Sequence, residues 1–221
     1  MHQNPHPIIA RDHHDLAGDW ALFDAVESGA ADHLFRCWQT PAPIVVAGRF
    51  RPLADDVNVE ACGADRVPIV RRSSGGGTVV LGDGCLNYAA ALSLVSRPAL
   101  HDVALSFTVL LGAIVEALGV PGLAIAGTDL SLDGRKVSGN AQQRGRRALL
   151  HHGTLLFAFD PALAFRYLKE PPRQPAYRQS RCHADFLGNL PLDEPELRFR
   201  LEQGLRAAVH RPAADGPRCA W

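Results

Sequence analysis

Hydrophobic residues recur along the chain at two different spacings, and each spacing predicts a type of element. Apolar side chains at the three-to-four-residue interval of a helix occur in residues 19–31, 58–65, 104–118 and 194–209. The last segment places Leu197, Leu201 and Leu205 on one face, which is typical of a helix packed on a core. We therefore predict a helix in each segment.

Short apolar runs bounded by glycine, proline and polar residues predict strands. These runs occupy residues 44–47, 67–70, 86–95 and 149–159, and the β-branched residues at 78–80 indicate a further strand. The dipeptide Asp133-Gly134 favours a two-residue turn, and the residues on either side of it, 130–132 and 135–138, form strand-like runs. This pattern predicts a β-hairpin.

The composition is that of an ordinary globular domain. With 221 residues, 47% of them hydrophobic and 21% charged, the chain can bury a full core and is expected to form one domain. The formal net charge is zero, which gives no global argument for a nucleic-acid partner. No apolar run approaches the length of a membrane span, and residues 1–7 lack the order of a signal peptide. We therefore expect a cytoplasmic protein without a membrane partner.

The cysteines and histidines form no recognisable metal or disulfide pattern. The five cysteines are odd in number and widely separated, which predicts reduced thiols. The pairs His13-His14 and His151-His152 make poor joint ligands, because neighbours in a strand point to opposite faces. We predict no metal held by protein side chains. The cysteines are Cys37, Cys62, Cys85, Cys182 and Cys219.

The most unusual stretch covers residues 71–87 and contains three consecutive glycines at 75–77. Glycine lets a ligand approach the main chain closely, but each one costs about 0.5–1 kcal/mol relative to alanine in regular structure. One explanation is that backbone N–H groups bind an anion or a carbonyl, with Arg71 and Arg72 adding positive charge. The alternative is a flexible hairpin tip. The loop matches neither a Walker loop nor the dinucleotide fingerprint.

Lys136 is a second candidate for chemistry. Only Lys136 and Lys169 are lysines among 23 basic residues, and Lys136 follows the predicted hairpin turn. A compact ammonium fits between a carboxylate and an α-phosphate and offsets the charge that develops when one attacks the other. The alternative is a solvated hairpin lysine.

Three stretches in the same order resemble the lipoate-protein ligases, which are relatives of the octanoyltransferases and biotin-protein ligases. Residues 71–79, Arg-Arg-Ser-Ser-Gly-Gly-Gly-Thr-Val, resemble the family's Arg-Arg-x-Ser-Gly-Gly-Gly-x-Val signature. Residues 133–142, Asp-Gly-Arg-Lys-Val-Ser-Gly-Asn-Ala-Gln, are similar to its Gly-Arg-Lys-Ile-Ser-Gly-x-Ala-Gln segment. Residues 149–159 contain a His-His-Gly-Thr-Leu-Leu strand like that of the ligases, and Gly48-Arg49-Phe50 is similar to a turn beside their substrate pocket.

The resemblance implies an α+β fold, a single biotin/lipoate-protein-ligase-like catalytic domain with a mixed or antiparallel β-sheet flanked by helices. It places this domain in residues 1–190, and we expect residues 191–221 to form a helix and an irregular tail packed on it. Many lipoate ligases continue into an accessory domain. This chain ends before such a domain, so a separate small accessory subunit is one expectation.

The resemblance also implies an activity, an ATP-dependent ligation. Lipoate or octanoate would be activated as acyl-AMP and transferred to a lysine of a lipoyl carrier protein, such as an E2 subunit or the glycine-cleavage H protein. Lys136 carries over as the catalytic lysine, and Mg²⁺ is expected only with ATP. The residues expected to bind substrate or adenylate are Arg49, Arg71, Arg72, Ser74, Gly75, Gly76, Gly77, Thr78, Asn87, Thr128, Asp129, Ser138, Gly139, Ala141, His152, Gly153 and Thr154.

Two other classes of function stay open at this point. A transferase that moves octanoyl or lipoyl groups between carriers without ATP would need an activated thiol, for which Cys85 and Cys182 are candidates. Cys182 lies between Arg181 and His183, cationic neighbours that would favour its thiolate. A non-catalytic protein could bind a lipoyl-type ligand or carrier, although it would have no need of Lys136. Biotin ligation fits less well, because 71–79 does not resemble the adenylate loop of that branch.

Overall fold

The computed structural model describes residues 9–10, 14–170 and 174–210. Four expectations fall outside these ranges: those for residues 1–7, the tail 211–221, His13 and Cys219. Part of the proline-rich segment after Glu170 lies outside them as well. Within them, no helix is long and apolar enough to cross a bilayer.

In the part of the chain that the structure describes, ten strands form two sheets. The larger sheet is antiparallel, with strand order β2-β6-β10-β9-β8-β7. Its strands are β2 (His33–Trp38), β6 (Cys85–Ser93), β7 (Leu123–Ala126), β8 (Asp129–Leu132), β9 (Arg135–Arg144) and β10 (Ala148–Leu156). The smaller sheet has the order β1-β4-β3-β5 and is parallel except for its last strand. Its strands are β1 (Ile9–Ala10), β3 (Ile44–Ala47), β4 (Ile69–Arg71) and β5 (Val79–Leu81).

Helices pack against both faces of the larger sheet. They are α1 (His14–Glu27), α2 (Leu53–Asp56), α3 (Val59–Asp65), α4 (Val103–Leu118), α5 (Pro161–Tyr167), α6 (His183–Phe186) and α7 (Glu194–His210). The longest apolar helix, α4, begins where the Asp102 carboxylate accepts from the Leu105 amide, and it ends at Gly119 in the left-handed conformation.

The main core lies between the larger sheet and the α4–α7 pair. Leu111 and Ile114 from α4, Leu201 and Leu205 from α7, and Leu155 from β10 are all fully buried there. Helix α1 lies against the opposite face of the sheet, where Phe23 and Val26 pack on alanines of β6. The smaller sheet covers the remainder of that face and leaves a space between the two sheets.

The α+β architecture and most of the predicted elements are confirmed. Strand β3 and helices α3, α4 and α7 lie where their periodicity placed them. Strand β9 is longer than predicted and extends to Arg144, because it pairs with β10 from Ser138 to Arg144. Helix α1 starts earlier and ends at Glu27, since Gly29 has a φ of 84° in the following turn. The pattern missed the short elements β1, β2, β7, α2, α5 and α6.

Candidate active site

A cavity of about 580 Å³ lies between the two sheets. This volume is in the range of small-molecule sites. Its walls come from β3 and β5 of the smaller sheet, from β6, β8, β9 and β10 of the larger sheet, and from the segment that leads through α6. Apolar side chains such as Leu81, Leu156 and Phe159 line much of it.

The floor of the cavity includes a row of residues that runs across five strands. Trp38 lies opposite Asn87, Asn87 opposite Thr154, Thr154 opposite Gly139, and Gly139 opposite Asp129. All five residues line the cavity. Four inter-strand spacings of about 4.8 Å give this row a length of about 19 Å, so an elongated ligand fits across the strands.

A β-bulge turns the Lys136 side chain toward this row. Leu130 pairs with Ser138 while Ser131 pairs with Lys136, so Val137 is an extra residue in β9. Without the bulge, alternation would put Lys136 on the same face as Ser138, away from the cavity. An atom at the Cβ position of Gly139 would lie 3.0 Å from Lys136 Nζ, so the missing side chain leaves room for the ammonium.

Lys136 forms an ion pair at the end of the row. Its Nζ lies 2.9 Å from Asp129 Oδ1, and the Tyr177 hydroxyl donates to Asp129 Oδ2 at 2.7 Å. Burial and the Asp129 carboxylate raise the pKa of Tyr177, so the phenol keeps its proton. The Lys136 side chain is 23% exposed, so the ammonium is both held in place and open to a ligand.

The middle of the row contains a buried amide with one unused group. Thr154 Oγ1 donates to Asn87 Oδ1 at 3.0 Å. Among the described residues, Asn87 Nδ2 has no hydrogen-bond partner, although the side chain is almost completely buried. An unpaired buried donor costs free energy and is more often found at functional sites than in plain core.

Arg72 holds the glycine loop from behind. Its guanidinium donates to Gly75 O and Gly77 O, both at 2.7 Å, and to Val46 O at 3.2 Å. A peptide N–H points away from the preceding C=O, so the N–H groups of the residues after these two glycines face the other way. Burial lowers the pKa of Arg72 to about 10. Its hydrogen bonds within the described residues all reach uncharged oxygens, which leaves a positive potential under the loop.

A serine and a histidine connect this loop to β10. Ser74 Oγ lies 2.6 Å from His152 Nε2 and accepts from Arg72 Nε at 3.0 Å. Burial, with a contribution from the Arg72 charge, lowers the pKa of His152 to about 3. The ring is therefore neutral at physiological pH, and it lines the cavity beside the loop.

Arg71 also donates to backbone carbonyl oxygens, in its case those of the turn after β3. Its Nη1 donates to Gly48 O at 2.7 Å, to Arg51 O at 2.9 Å and to Arg49 O at 3.3 Å. The sequence suggested that Arg71 and Arg72 offer their forks to phosphate, whereas the structure shows both guanidinium groups binding carbonyl oxygens. Arg49 lies on the outer side, with its guanidinium 5.3 Å from the centre of the exposed Phe50 ring.

The cavity brings together most of the residues that the sequence selected. Those lining it are Arg72, Gly76, Gly77, Thr78, Asn87, Thr128, Asp129, Lys136, Gly139, Ala141, His152, Gly153 and Thr154. Five others lie outside its lining: Arg49, Arg71, Ser74, Gly75 and Ser138. Their assignment to substrate or adenylate binding stays a prediction.

Sequence reasoning missed a polar group at the mouth. The Asp56 carboxylate accepts from the Arg51 guanidinium and from Thr78 Oγ1 at 2.8 Å, which fixes the end of the glycine loop to α2. The Arg51 contact lowers the pKa of Asp56. Asp56 and Arg51 lie in a stretch of mixed charge without periodicity, so nothing in the sequence distinguished them from surface residues.

Neither candidate thiol lines the cavity among the residues that the structure describes. Cys85 is fully buried, and burial raises its pKa to about 12, which makes it a poor nucleophile. Cys182 is partly exposed, and its Sγ donates to Asp185 Oδ2 at 3.1 Å. Across the described ranges, no three His, Cys, Asp or Glu side chains come close enough to bind a metal ion. The expectation that Mg²⁺ enters only with ATP stays a prediction.

Comparison with known sequences gives a consistent set of relatives. Residues 13–187 match the family model described as the lipoyl protein ligase A/B catalytic domain. A protein of Aeropyrum pernix named "Putative lipoate-protein ligase A" is 33% identical over 145 residues, which cover 64% of this chain and 54% of the relative. A protein of the same name from Schizosaccharomyces pombe is 31% identical over 147 residues, which cover 66% of this chain and 39% of that relative. The chain thus spans about half or less of these curated relatives.

Solved structures share the fold. A lipoate-protein ligase A bound with ATP superposes with a TM-score of 0.74 at 19% identity, covering 94% of this chain and 86% of that one. A bi-partite lipoate protein ligase from Thermoplasma acidophilum, described with its E2 lipoyl domain, gives a TM-score of 0.73 at 20% identity. The match covers 95% of this chain and 85% of that one. A structure from the same organism, described as a "putative lipoate protein ligase" with bound lipoic acid, gives a TM-score of 0.72 at 20% identity and covers 94% of this chain and 87% of that one.

Proposed function

Because the chain belongs to the lipoyl protein ligase A/B catalytic domain family, we propose that it is an ATP-dependent lipoate-protein ligase. It activates lipoate, or octanoate, as acyl-AMP and transfers the acyl group to a lysine of a lipoyl carrier protein. The single observation that carries the proposal is the Lys136–Asp129 ion pair, which the bulge in β9 places at the end of an elongated, largely apolar cavity.

The cavity suits a ligand with an apolar tail and an anionic head. Its apolar walls match an acyl chain, and the positive charges of Lys136 and buried Arg72 match a carboxylate and a phosphate. ATP with Mg²⁺, when bound, would supply an adenylyl group: the carboxylate oxygen would bond to the α-phosphorus, the bond to the β-phosphate oxygen would break, and pyrophosphate would leave. The family neighbours crystallised with ATP and with lipoic acid support this choice of ligands.

The chain's own residues act by position and charge. The Lys136 ammonium offsets negative charge where the carboxylate meets the α-phosphate, and Asp129 holds that ammonium in place. Backbone N–H groups of the glycine loop, turned toward the ligand by Arg72, donate to anionic oxygens. The narrow space between the sheets excludes water from a mixed anhydride that water would hydrolyse. Carrier lysine attack then forms the amide and releases AMP.

The partner follows from the second half of the reaction. We take it to be a lipoyl-domain carrier, an E2 subunit, a glycine-cleavage H protein or a similar protein. The bi-partite ligase and its E2 lipoyl domain among the structural neighbours support this choice. A separate small accessory subunit is part of the proposal if the chain alone adenylates lipoate but does not transfer it.

The decisive experiment is pyrophosphate release from ATP and Mg²⁺, with lipoate, octanoate or biotin each added alone. Release with lipoate is expected, and none with biotin. Lys136→Ala should slow release about 100- to 1,000-fold, because one group that stabilises developing charge is lost. Lys136→Arg should not restore it, since a planar guanidinium does not fit the place of the ammonium.

Arg206→Ala is the matched control, because it removes an exposed cation on α7 that stacks on Phe35 away from the cavity. It should release pyrophosphate at the wild-type rate. Equal melting temperatures for all variants would show that the loss is chemical. Full activity of Lys136→Ala, or the absence of release with any acid by the folded wild type, would refute the proposal.

A further inference from the structure

A continuous chain of side chains runs along the lower face of the larger sheet, opposite the row in the cavity floor, and two of its members, Tyr88 and Asn140, also line the cavity. It starts near the beginning of α4 and ends beside the Lys136–Asp129 pair. None of its members was selected from the sequence. In order, they are Arg144, Gln142, His151, Tyr88 and Asn140.

The distances in this chain are those of good hydrogen bonds. Arg144 Nη1 lies 2.7 Å from Gln142 Oε1, which also accepts from Ser106 Oγ at 3.0 Å. Gln142 Nε2 lies 3.2 Å from His151 Nδ1, and His151 Nε2 lies 3.1 Å from the Tyr88 hydroxyl. The Tyr88 hydroxyl lies 2.6 Å from Asn140 Oδ1.

Each bond has a fixed direction. Asn140 Oδ1 can only accept, so Tyr88 gives it the single hydroxyl proton. His151 Nε2 must therefore donate to Tyr88, and His151 Nδ1 must accept from Gln142. The Gln142 amide nitrogen donates because its oxygen already accepts from Arg144. Every group accepts from the one before it and donates to the next.

His151 has the protonation state that this order needs. It is completely buried, its ring packs edge-on against Phe107, and burial lowers its pKa to about 3. The ring is therefore neutral, with its one proton on Nε2. The groups that face it are Gln142, Tyr88 and the Phe107 ring, and all three are uncharged.

The last member of the chain reaches the reaction centre. Asn140 Nδ2 donates to Thr128 O at 2.8 Å, and Thr128 directly precedes Asp129. Gly153 makes this contact possible, because a Cβ there would overlap Asn140 Oδ1. The Thr128–Asp129 peptide is thus anchored from below, while the Asp129 carboxylate holds Lys136 from above.

We infer that this hydrogen-bond chain is a positioning device for Lys136: by fixing the Thr128 carbonyl, it fixes the carboxylate that orients the ammonium. Tyr88, His151 and Gln142 are its positioning residues. Hydrogen bonds that all point the same way polarise one another, so the anchor is stiffer than its last bond alone. The effect of this hydrogen-bond chain on the reaction rate rests on the proposed function. Its effect on the position of the Thr128–Asp129 peptide does not.

The test compares Tyr88→Phe and Gln142→Met with wild type in single-turnover acyl-adenylate formation. Each variant removes one link and keeps the shape of the side chain. We expect the rate constant to fall about 10-fold in each, with the KM values for lipoate and ATP changed less than twofold. In the double variant the rate constant should fall by no more than about 20-fold relative to wild type, because both changes break the same hydrogen-bond chain.

Tyr167→Phe is the matched control. Tyr167 is also a buried tyrosine whose hydroxyl donates to an acceptor, Asp65, but it lies outside the cavity lining. Its variant loses a comparable hydrogen bond and should react at the wild-type rate. A merely structural role for Tyr88 would give both Tyr→Phe variants the same kinetics at temperatures well below melting.

A second readout does not depend on activity. In ¹H–¹⁵N spectra of the ligand-free protein, the amide signals of Thr128 and Asp129 should shift in Tyr88→Phe and Gln142→Met and not in Tyr167→Phe. Long-range spectra should show His151 protonated on Nε2. Unshifted Thr128 and Asp129 signals, or protonation on Nδ1, would overturn the inference even if the wild type forms no adenylate. Shifted signals in an inactive wild type would keep the positioning chain and refute only the proposed reaction.

Discussion

His151 and His152 are neighbours in the chain that enter opposite environments. His151 lies under the sheet in contact with Tyr88 and Phe107, and His152 lies over it beside Ser74. The alternation expected for a strand is confirmed here, and it separates the pair as the sequence predicted. Because both rings are kept neutral by burial, the two residues have a common effect on the stability of the fold.

Stability should fall as the pH drops below about 6.5. The pKa of both histidines is about 3 in the folded chain, below the unfolded value of about 6.5. Between these pH values the histidines bind protons in the unfolded state but not in the folded state. The stabilisation that their neutral form gives the fold is complete above pH 6.5 and is lost toward pH 3. The expected slope is about 1.4 kcal/mol per pH unit for each histidine.

Urea unfolding at pH 7, 6 and 5 measures this slope, and His152→Gln should reduce it by about half. The range above pH 5 avoids titration of the carboxylates, whose usual pKa lies near 4. A stability that stays flat from pH 7 to 5 would contradict the assignment of neutral, buried rings.

The sequence could select individual residues where a motif or a rare residue type marked them. Lys136 stood out because lysine is rare in this chain, and the structure places it at the cavity. Tyr88 and Asn140 could not be found in this way, because tyrosine and amide side chains in strands are usually core or surface residues. Gln142 is the last residue of the matched segment 133–142, but the motif indicated no role for it. Their connection exists only through strand register, which one sequence does not specify.

At the scale of elements, the β9–β10 hairpin is held by a single carboxylate from another part of the chain. Glu27, the last residue of α1, accepts from the backbone N–H groups of Arg146, Arg147 and Ala148 at 2.7–3.0 Å. These contacts lower the pKa of Glu27, although partial burial opposes them. The turn that follows the Lys136 strand is thereby attached to the helix on the cavity side.

Glu27→Ala should destabilise the fold by about 1.5–3 kcal/mol, the range for hydrogen bonds to a charged group. The exposed Arg146 and Arg147 N–H groups and the part-buried Ala148 N–H would all lose their charged acceptor. The midpoint of urea unfolding measures the effect. Asp24→Ala changes an exposed acid one turn earlier on α1 and should stay within about 0.5 kcal/mol of wild type. Equal midpoints for the two variants would show that the turn does not need this carboxylate.

Elements with strong periodicity were predictable, and irregular ones were not. Helix α4 is apolar on nearly all sides and has clear signals at both ends, so its limits were predicted within a residue. The bulge at Val137 left no trace in the sequence, because a bulge depends on pairing with β8. The short helices α2, α5 and α6 are single or double turns that form through tertiary contacts rather than through their own periodicity.

At the scale of the whole molecule, α7 belongs to the same core as the sheet that carries the site. Leu197, Leu201 and Leu205 lie in one cluster with Leu111 and Ile114 of α4 and with Leu155 of β10. The boundary predicted at residue 190 therefore does not correspond to a gap in the packing. The assignment of residues 1–190 to the catalytic domain and of residues 191–221 to a helix and tail packed on it stays a prediction.

Leu201→Ala should cost about 2–5 kcal/mol, because it removes a fully buried side chain and leaves a cavity. Unfolding should remain a single transition, since α7 and the sheet share one core. Calorimetry measures both quantities. Phe199→Ala is the control on the same helix, with a side chain that is 63% exposed, and should change stability by less than about 0.5 kcal/mol. A separate early transition in Leu201→Ala would show that α7 folds independently.

The alternation of side chains in the larger sheet also bears on how such a protein can change over generations. Residues that face the cavity can be replaced to suit a different ligand while the hydrogen-bond chain beneath them is inherited unaltered. Gly153 lies on the lower face between Tyr88 and Asn140, and Asn140 occupies the space where its side chain would be. Any side chain at position 153 would therefore need a matching change at Asn140, and so the lower face is the less replaceable of the two.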